Sequence, residues 1–216
     1  MNDPLMELDE MEKYFSRSSG FLDSLFGSDE YVKAVDGVSF TLDENEVVGV
    51  IGESGCGKTT LLKTLMGLHD PTGGEIRYDG TPLSSFDRSE WKAFRRNVQI
   101  IFQDPFNSID PKMSVQETLK EPLKIHDMEA SEERILDVLE QVELNPARNY
   151  LNRLPQQLSG GEKQRVSIAR ALVTEPDVIL ADEPVSMLDV STQASVLNLL
   201  SDLTTELGVS MIYISH

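Results

Sequence analysis

A glycine-rich segment near the start of the chain has the residue types and spacing that bind nucleotide phosphates. The segment is GESGCGKTT, which fits the pattern G-x-x-x-x-G-K-S/T with Gly52, Gly57, Lys58 and Thr59 at the fixed positions. Glycines let successive backbone N–H groups and a helix N-terminus point at one anion. We expect Lys58 to reach the β- and γ-phosphates and the Thr59 hydroxyl to bind Mg²⁺. The alternative is a glycine turn that only caps a helix.

The segments on either side of this loop favour the phosphate site over the plain turn. EVVGVI (Glu46–Ile51) is a short apolar, β-branched run that predicts a buried strand, and TTLLKTLMGL has apolar residues at helical spacing. Strand, loop and helix in this order are the context that the pattern requires. The predicted nucleotide-binding residues of the loop are Gly52, Glu53, Ser54, Gly55, Cys56, Gly57, Lys58, Thr59 and Thr60.

Two adjacent acids follow a second apolar run, VILADEP (Val178–Pro184). A buried strand that ends at Asp182 would supply a carboxylate for Mg²⁺ or its bound waters. Glu183 could then polarise the attacking water. The alternative is a strand that ends in solvated carboxylates, which is common for one acid and less so for two.

A third segment, LSGGEKQR, predicts a helix whose N-terminus forms a second anion site. Ser159, Gly160 and Gly161 precede an apolar helical pattern, with Glu162 in the predicted first turn. Ser-Gly-Gly alone also fits an ordinary capped helix. The phosphate loop and the two acids by themselves leave a kinase, a GTPase or a recombinase open.

Together, in this order, the segments resemble the nucleotide-binding subunits of ATP-binding cassette (ABC) transporters. Gly52–Thr59 is similar to the family's Walker A loop, Val178–Asp182 to its Walker B strand and Leu158–Arg165 to its signature motif. The resemblance implies ATP and Mg²⁺ as ligands. It also implies a head-to-tail pair of subunits, in which Ser159–Gly161 of one subunit close over the ATP held by the other.

The resemblance assigns roles to further residues. Gln103 corresponds to the Q-loop glutamine that contacts Mg²⁺ or water, Glu183 to the catalytic base and His216 to the switch histidine at the γ-phosphate. Asp189, in SMLD, corresponds to the D-loop aspartate at the nucleotide site. Phe15, or less readily Tyr14, occupies the place of the ring that stacks on adenine. An aromatic residue in a predicted edge strand is more often simply packed.

The segment after Gln103, FNSIDPKMSVQETLKEPL, is similar to that of ATPase subunits of oligopeptide, dipeptide or nickel importers. This similarity implies three kinds of partner: a second ABC ATPase subunit, identical or paralogous; transmembrane permease subunits; and an extracytoplasmic substrate-binding protein. It also implies a peripheral position at the cytoplasmic face of the cell membrane. A chain without ~18 consecutive apolar residues or a signal-peptide start agrees with that position.

The resemblance predicts an α/β fold: a P-loop NTPase of the ABC type that spans residues 1–216, with an antiparallel β layer and a helical subdomain at about 105–165. Alternating patterns within about 5–51 and in Gly73–Gly80 fit the β layer, and helical patterns around Ser114–Leu123 and Ser131–Val142 fit the subdomain. Members of the family continue beyond the equivalent of His216, so we expect a C-terminally truncated domain.

The charge argues against DNA or RNA as a ligand. The 216 residues include 37 acidic and 19 basic side chains, a net charge of −18, whereas nucleic acids require a basic surface. A salt-rich cytoplasm would explain such acidity, and an ordinary acidic bacterial protein is the alternative. Two other functions also stay open: a soluble ABC ATPase outside transport, and a truncated module that binds nucleotide or permease without turnover.

Overall fold

The computed structural model describes residues 3–16, 31–104 and 109–215. In chain order, the strands are β1 (Met6–Ser16), β2 (Tyr31–Leu42), β3 (Val47–Ile51), β4 (Gly73–Tyr78), β5 (Thr81–Pro82), β6 (Val98–Ile101), β7 (Val178–Asp182) and β8 (Ser210–Ser215). The helices are α1 (Lys58–Leu65), α2 (Arg88–Asn97), α3 (Val115–Ile125), α4 (Glu132–Gln141), α5 (Gly160–Leu172) and α6 (Val190–Leu207).

Within the described ranges, the chain divides into two compact units. The first comprises residues 3–16, 31–43 and 50–86, and the second comprises 44–49, 87–104 and 109–215. The phosphate loop therefore belongs to the first unit. The acids after β7 and the Ser-Gly-Gly segment belong to the second.

The first unit contains the antiparallel sheet that the sequence predicts, in the order β2-β1-β4-β5. β1 buries Met6, Leu8 and Met11, and its two-residue alternation shifts where the register breaks between Leu8 and Met11. Glu10, inside this break, has a left-handed backbone with φ 46°, as expected at a β-bulge. α1 packs against β1 and β2. β1 pairs with β2 along its length but with β4 only as far as Glu12, so at Phe15 only the side facing β2 is paired.

The second unit contains β6, β7, β8 and the first three residues of β3, in a sheet with the order β3-β8-β7-β6. β7 pairs in parallel with both β6 and β8, and all five of its residues are buried. Parallel strands covered on both faces are apolar along their whole length, as VILA is here. The predicted buried strand that ends at Asp182 is confirmed.

β3 is a strand as predicted, but the prediction that it is buried is wrong. Val47 is 51% exposed and Ile51 is 77% exposed. The reason is its place in the sheet, since β3 lies at the end of the strand order and only β8 is its neighbour there. A run of β-branched residues specifies a strand without specifying how many neighbours it has.

Side-chain caps fix where the helices of the second unit begin. A serine or aspartate precedes each of α2 to α6, and its side chain accepts a hydrogen bond from a first-turn N–H; these residues are Asp87, Ser114, Ser131, Ser159 and Asp189. The helices predicted around Ser114–Leu123 and Ser131–Val142 are confirmed. α3 and α4 pack against α5, which in turn packs against β6 and α6. The limits of the helical subdomain, about 105–165, stay a prediction.

Candidate functional site

The phosphate loop of the first unit depends on glycine where α1 begins. Gly57 has φ 101°, which side-chain-bearing residues rarely adopt, and a Cβ atom there would lie 1.8 Å from the carbonyl oxygen of Ala34. Only glycine therefore fits. Gly57 also supplies no side-chain oxygen to the first-turn amides of α1, which have no acceptors inside the helix. The loop is thus compatible with an anionic ligand at this helix N-terminus.

Lys58 brings a positive charge to this loop. Its side chain is nearly buried, with 8% exposed, and Nζ donates to the carbonyl oxygens of Gly52 (2.6 Å) and Glu53 (2.9 Å). The backbone of the loop thereby fixes the position of the ammonium group. A fixed cation beside a helix N-terminus suits the phosphates of a nucleotide.

The other residues of the loop are more open. Ser54, Gly55, Cys56 and Thr59 are exposed, whereas Thr60 is half-buried and its carbonyl oxygen accepts from Thr64 Oγ1. The hydroxyl of Thr59 stands in the first turn of α1, where a metal ligand is predicted. The binding roles of these residues stay predictions.

Of the two aromatic candidates, Phe15 has the freer ring. Phe15 is 38% exposed, lies edge-on to His69 with 5.4 Å between ring centroids, and has Lys13 Nζ 5.1 Å from its centroid. The Tyr14 hydroxyl instead donates to Asp36, a hydrogen bond that raises the pKa of Tyr14. Phe15 is therefore the better placed of the two to stack on a base.

In the second unit, two carboxylates lie where β7 ends. Asp182, the last residue of β7, is 5% exposed, and Glu183 is 9% exposed. Glu183 has a left-handed backbone with φ 45°, and its N–H donates to the carbonyl oxygen of Ile214 on β8 (3.2 Å). A non-glycine residue in this region stores strain of about 1–3 kcal/mol, and such strain concentrates at functional sites. His216, which follows β8, lies outside the described residues.

The structure brings Gln103 and Glu183 together although 79 residues separate them in the sequence. Gln103 Nε2 donates to Glu183 Oε2 (2.8 Å) and lies 3.2 Å from Ser186 Oγ, which accepts. Ser186 is not predictable from the sequence, because a serine in a turn has no chemical pattern of its own. The same holds for Tyr213 on β8, whose pKa is raised by burial and by the negative charge of Glu183.

Asp189 is the cap of α6, and its own helix occupies both carboxylate oxygens. Oδ1 accepts from Ser191 Oγ (2.5 Å) and the Thr192 N–H (3.1 Å), and Oδ2 accepts from Thr192 Oγ1 (2.7 Å). These bonds, first those from the two hydroxyls, hold the pKa of Asp189 well below its usual range. The predicted role of Asp189 at the nucleotide is not tested by this geometry.

The Ser-Gly-Gly segment forms the N-terminus of α5 as expected. Ser159 Oγ accepts from the Glu162 N–H (3.2 Å), and Glu162 Oε2 accepts from the Ser159 N–H (2.7 Å), which together make a capping box. Gly161 packs closely on α6, since a Cβ atom there would lie 2.6 Å from Cγ2 of Thr192. The helix cap at Asp189 and the Ser-Gly-Gly segment therefore share Thr192 as a neighbour.

Comparison with known proteins identifies the class to which this fold and these segments belong. The family model described as ABC transporter matches residues 35–186, about 70% of the chain. The chain belongs to the ABC transporter family.

Its relatives include ATP-binding proteins of peptide transport. The chain is 43% identical over 216 residues to the oligopeptide transport ATP-binding protein AppF of Bacillus subtilis (strain 168), covering 98% of this chain and 64% of AppF. It is 42% identical over 219 residues to the dipeptide transport ATP-binding protein DppF of Escherichia coli (strain K12), covering 100% of this chain and 64% of DppF. The chain thus spans slightly less than two thirds of the length of these relatives.

A solved structure supports the ABC-type α/β fold. The ATP-binding cassette MJ0796, in a dimeric post-hydrolysis state bound to ADP and Pi, superposes with a TM-score of 0.81 at 32% identity. The match covers 98% of this chain and 88% of that one. Among the described helices of the present chain, none is both long enough and apolar enough to span a bilayer.

The bonds at Asp189 predict how stability depends on pH. A carboxylate whose folded-state pKa is depressed stabilises the fold above its unfolded pKa, about 3.9, and this stabilisation is lost as the pH falls through the folded value. We expect Asp189→Ala to lower the free energy of unfolding at pH 7. The difference in free energy of unfolding between this variant and the wild type should shrink below about pH 4. Denaturant unfolding at several pH values measures this. Asp202→Ala, exposed on the same helix, is the control; a pH-independent loss for Asp189→Ala would contradict the assignment.

Proposed function

We propose that this chain binds and hydrolyses ATP and thereby powers an ABC importer of oligopeptides or dipeptides. The observation that carries the proposal is the hydrogen bond between Gln103 and Glu183, at the end of a buried strand, in a chain that also has a phosphate loop. A carboxylate held by a fixed amide at this position suits a base that activates water. The names of AppF and DppF support peptides as the cargo.

The phosphate loop would hold the triphosphate. The first-turn amides of α1 and the ammonium group of Lys58 bind its oxygens, and Phe15 stacks on the adenine. The residues that would hold Mg²⁺ are Thr59, Gln103 and Asp182, a hydroxyl, an amide oxygen and a carboxylate, which are the oxygen ligands that this ion takes. When bound, Mg²⁺ would neutralise charge on the β- and γ-phosphates.

Glu183 is the proposed base for hydrolysis. Its carboxylate accepts a proton from water as the water oxygen bonds to the γ-phosphorus, while the bond from that phosphorus to the β,γ-bridging oxygen breaks and ADP leaves. The Gln103 amide orients the Glu183 carboxylate. His216 contacts the γ-phosphate in this proposal, as the family resemblance implies.

Two subunits, identical or paralogous, would complete each nucleotide site. Ser159, Gly160 and Gly161 of one subunit cover the ATP bound by the other, with Asp189 near the same interface. The Ser159 hydroxyl accepts from the Glu162 N–H and also interacts with the Glu162 carboxylate, so it would turn its proton away from Glu162 to donate to a phosphate oxygen. The dimeric state of MJ0796 with ADP and Pi supports this arrangement.

A groove along α3 is the proposed docking site for a permease subunit at the cytoplasmic face of the membrane. The groove has a volume of about 360 Å³ and is lined by Met113, Glu117, Glu121, Lys124 and Ile125. Ile125 is 57% exposed and, with Met113, gives this otherwise charged lining an apolar contact surface. An extracytoplasmic binding protein would deliver the peptide to the permeases.

Nucleotide binding is tested at the start of α1. Gly57→Ala should weaken ATP binding by at least about tenfold, because the added Cβ meets a backbone oxygen and the loop must change shape. Gly49→Ala in β3 is the matched control, since a Cβ there has nothing within 4 Å. Titration with a fluorescent ATP analogue and Mg²⁺ measures both. Equal affinities for the two variants would place the triphosphate elsewhere.

Hydrolysis is tested at Glu183. Glu183→Gln keeps the size and the hydrogen-bonding capacity of the side chain but cannot take a proton, so turnover should fall by about a hundredfold or more while ATP still binds. A dimer should then accumulate with ATP, as light scattering measures. The exposed Glu140→Gln is the control. If Glu183→Gln hydrolysed ATP at the wild-type rate, Glu183 would not be the base.

Docking is tested at the groove. Ile125→Asp should abolish co-purification with the permease subunits, because it replaces the exposed apolar contact with a charge. Leu207→Asp, at the end of α6 and 46% exposed, controls for a general effect of a new acid on an apolar surface. Undiminished co-purification of Ile125→Asp would exclude this groove as the permease contact.

A further inference from the structure

The carboxylate in the first turn of α5 has both oxygens bound. Oε2 of Glu162 accepts from the Ser159 N–H at 2.7 Å, while Oε1 accepts from the Tyr150 hydroxyl at 3.0 Å and lies 3.5 Å from Arg153 Nη1. The Arg153 guanidinium also lies over the Tyr150 ring, 4.4 Å from its centroid. Tyr150 and Arg153, which precede α5, therefore hold the Glu162 carboxylate in place. Glu162 in turn holds the Ser159 N–H.

Tyr150 and Arg153 reduce the repulsion that the Glu162 carboxylate would exert on an anion bound at the N-terminus of α5. The pKa of Glu162 is lowered, first by the Ser159 N–H, so the side chain is ionised at neutral pH. A negative charge suits a helix N-terminus, but it repels a polyanion that binds at the same place. The guanidinium of Arg153 and the hydroxyl of Tyr150 counter that charge at Oε1.

The same segment is bonded to the helix that lines the docking groove. The carbonyl oxygens of Leu151 and Arg153 accept from the N–H groups of Gln116 and Val115, each at 3.0 Å. These are the first two residues of α3, which otherwise have no acceptors inside their helix. Farther along, Gln156 Nε2 donates to the carbonyl oxygen of Pro111 at 2.8 Å. Residues 150–156 thus bind the start of α3 by two carbonyl groups, the segment before it by the Gln156 side chain, and Glu162 of α5 by the side chains of Tyr150 and Arg153.

We propose that Tyr150 and Arg153 are positioning residues that link the groove on α3 to the Ser-Gly-Gly segment, acting on Ser159 through Glu162. A displacement of the first turn of α3 would move the backbone at Leu151 and Arg153. The Arg153 side chain would then move Glu162, and with it the Ser159 N–H. This proposal rests on the proposed function, in which the serine closes over ATP of the partner subunit.

Substitutions that keep the fold but cut the link test the proposal in the assembled transporter. Arg153→Met keeps the aliphatic stem and removes the charge, and should lower kcat about tenfold or more, as the loss of a charge-assisted contact used in the closed state predicts. Tyr150→Phe removes one hydroxyl and should have a smaller effect in the same direction. Arg153→Lys should recover most of the turnover, because it restores the charge at Oε1. Arg148→Met, whose exposed ion pair is with Glu132, should behave as the wild type.

Two further readouts separate a positioning role from a structural one. ATP affinity of the single subunit should stay the same in Arg153→Met, since the phosphate loop is intact. In the Glu183→Gln background, ATP-induced dimerisation should weaken with Arg153→Met and recover with Arg153→Lys. Unchanged kcat and dimerisation in Arg153→Met would overturn the link. A loss of kcat and dimerisation that Arg153→Lys does not recover, and that accompanies a lower melting temperature, would also overturn it. A wild-type transporter that hydrolyses no ATP would instead overturn the proposed function.

Discussion

The position of the Glu183 carboxylate depends on how β7 is buried. β7 lies between β6 and β8 with every residue covered, and the chain stays buried through Glu183, the first residue after the strand. There Glu183 takes a left-handed backbone, its N–H bonds to Ile214 of β8, and its side chain bonds to Gln103, two residues after β6. The two strands that flank β7 therefore each supply one restraint on the same residue. Parallel pairing brings both restraints to one edge of the sheet, because all three strands end there.

The described helices differ in what accepts hydrogen bonds from their first N–H groups. The first N–H groups of a helix need acceptors, and in α2 to α6 a serine or aspartate side chain provides one. α1 begins instead at Gly57, which has no side chain to offer. That difference suits α1 to bind phosphate oxygens directly. α5 can combine the two arrangements, because the Ser159 hydroxyl accepts from its own helix and can turn its proton from the Glu162 carboxylate toward a ligand.

Local patterns predicted much of the fold, whereas contacts between distant segments were not predictable. Helices are predictable after Ser114, Ser131 and Ser159, because a helix cap acts on amides within three residues. The apolar run of β7 likewise predicts that this strand is buried. The exposure of β3 depends on which strands lie beside it, which its own residues do not encode. In the site, glycine spacing and adjacent acids identified the main candidates. Ser186, Tyr150 and Arg153 were not predictable, because each acts only through a residue that the tertiary structure brings near. That residue is Gln103 for Ser186 and Glu162 for Tyr150 and Arg153.

The type of bond determines what the link between α3 and α5 can transmit. Backbone carbonyls of Leu151 and Arg153 accept from the first amides of α3, and such bonds leave no rotatable side chain between the helix and the segment. On the other side, the planar guanidinium of Arg153 lies against Tyr150 and beside Glu162, which restricts its own rotation. A connection with few free torsions passes on small displacements that a chain of flexible side chains would absorb. Coupling through it requires one element with two arrangements that both helices bias, and in our proposal the capping box at Ser159 takes that role.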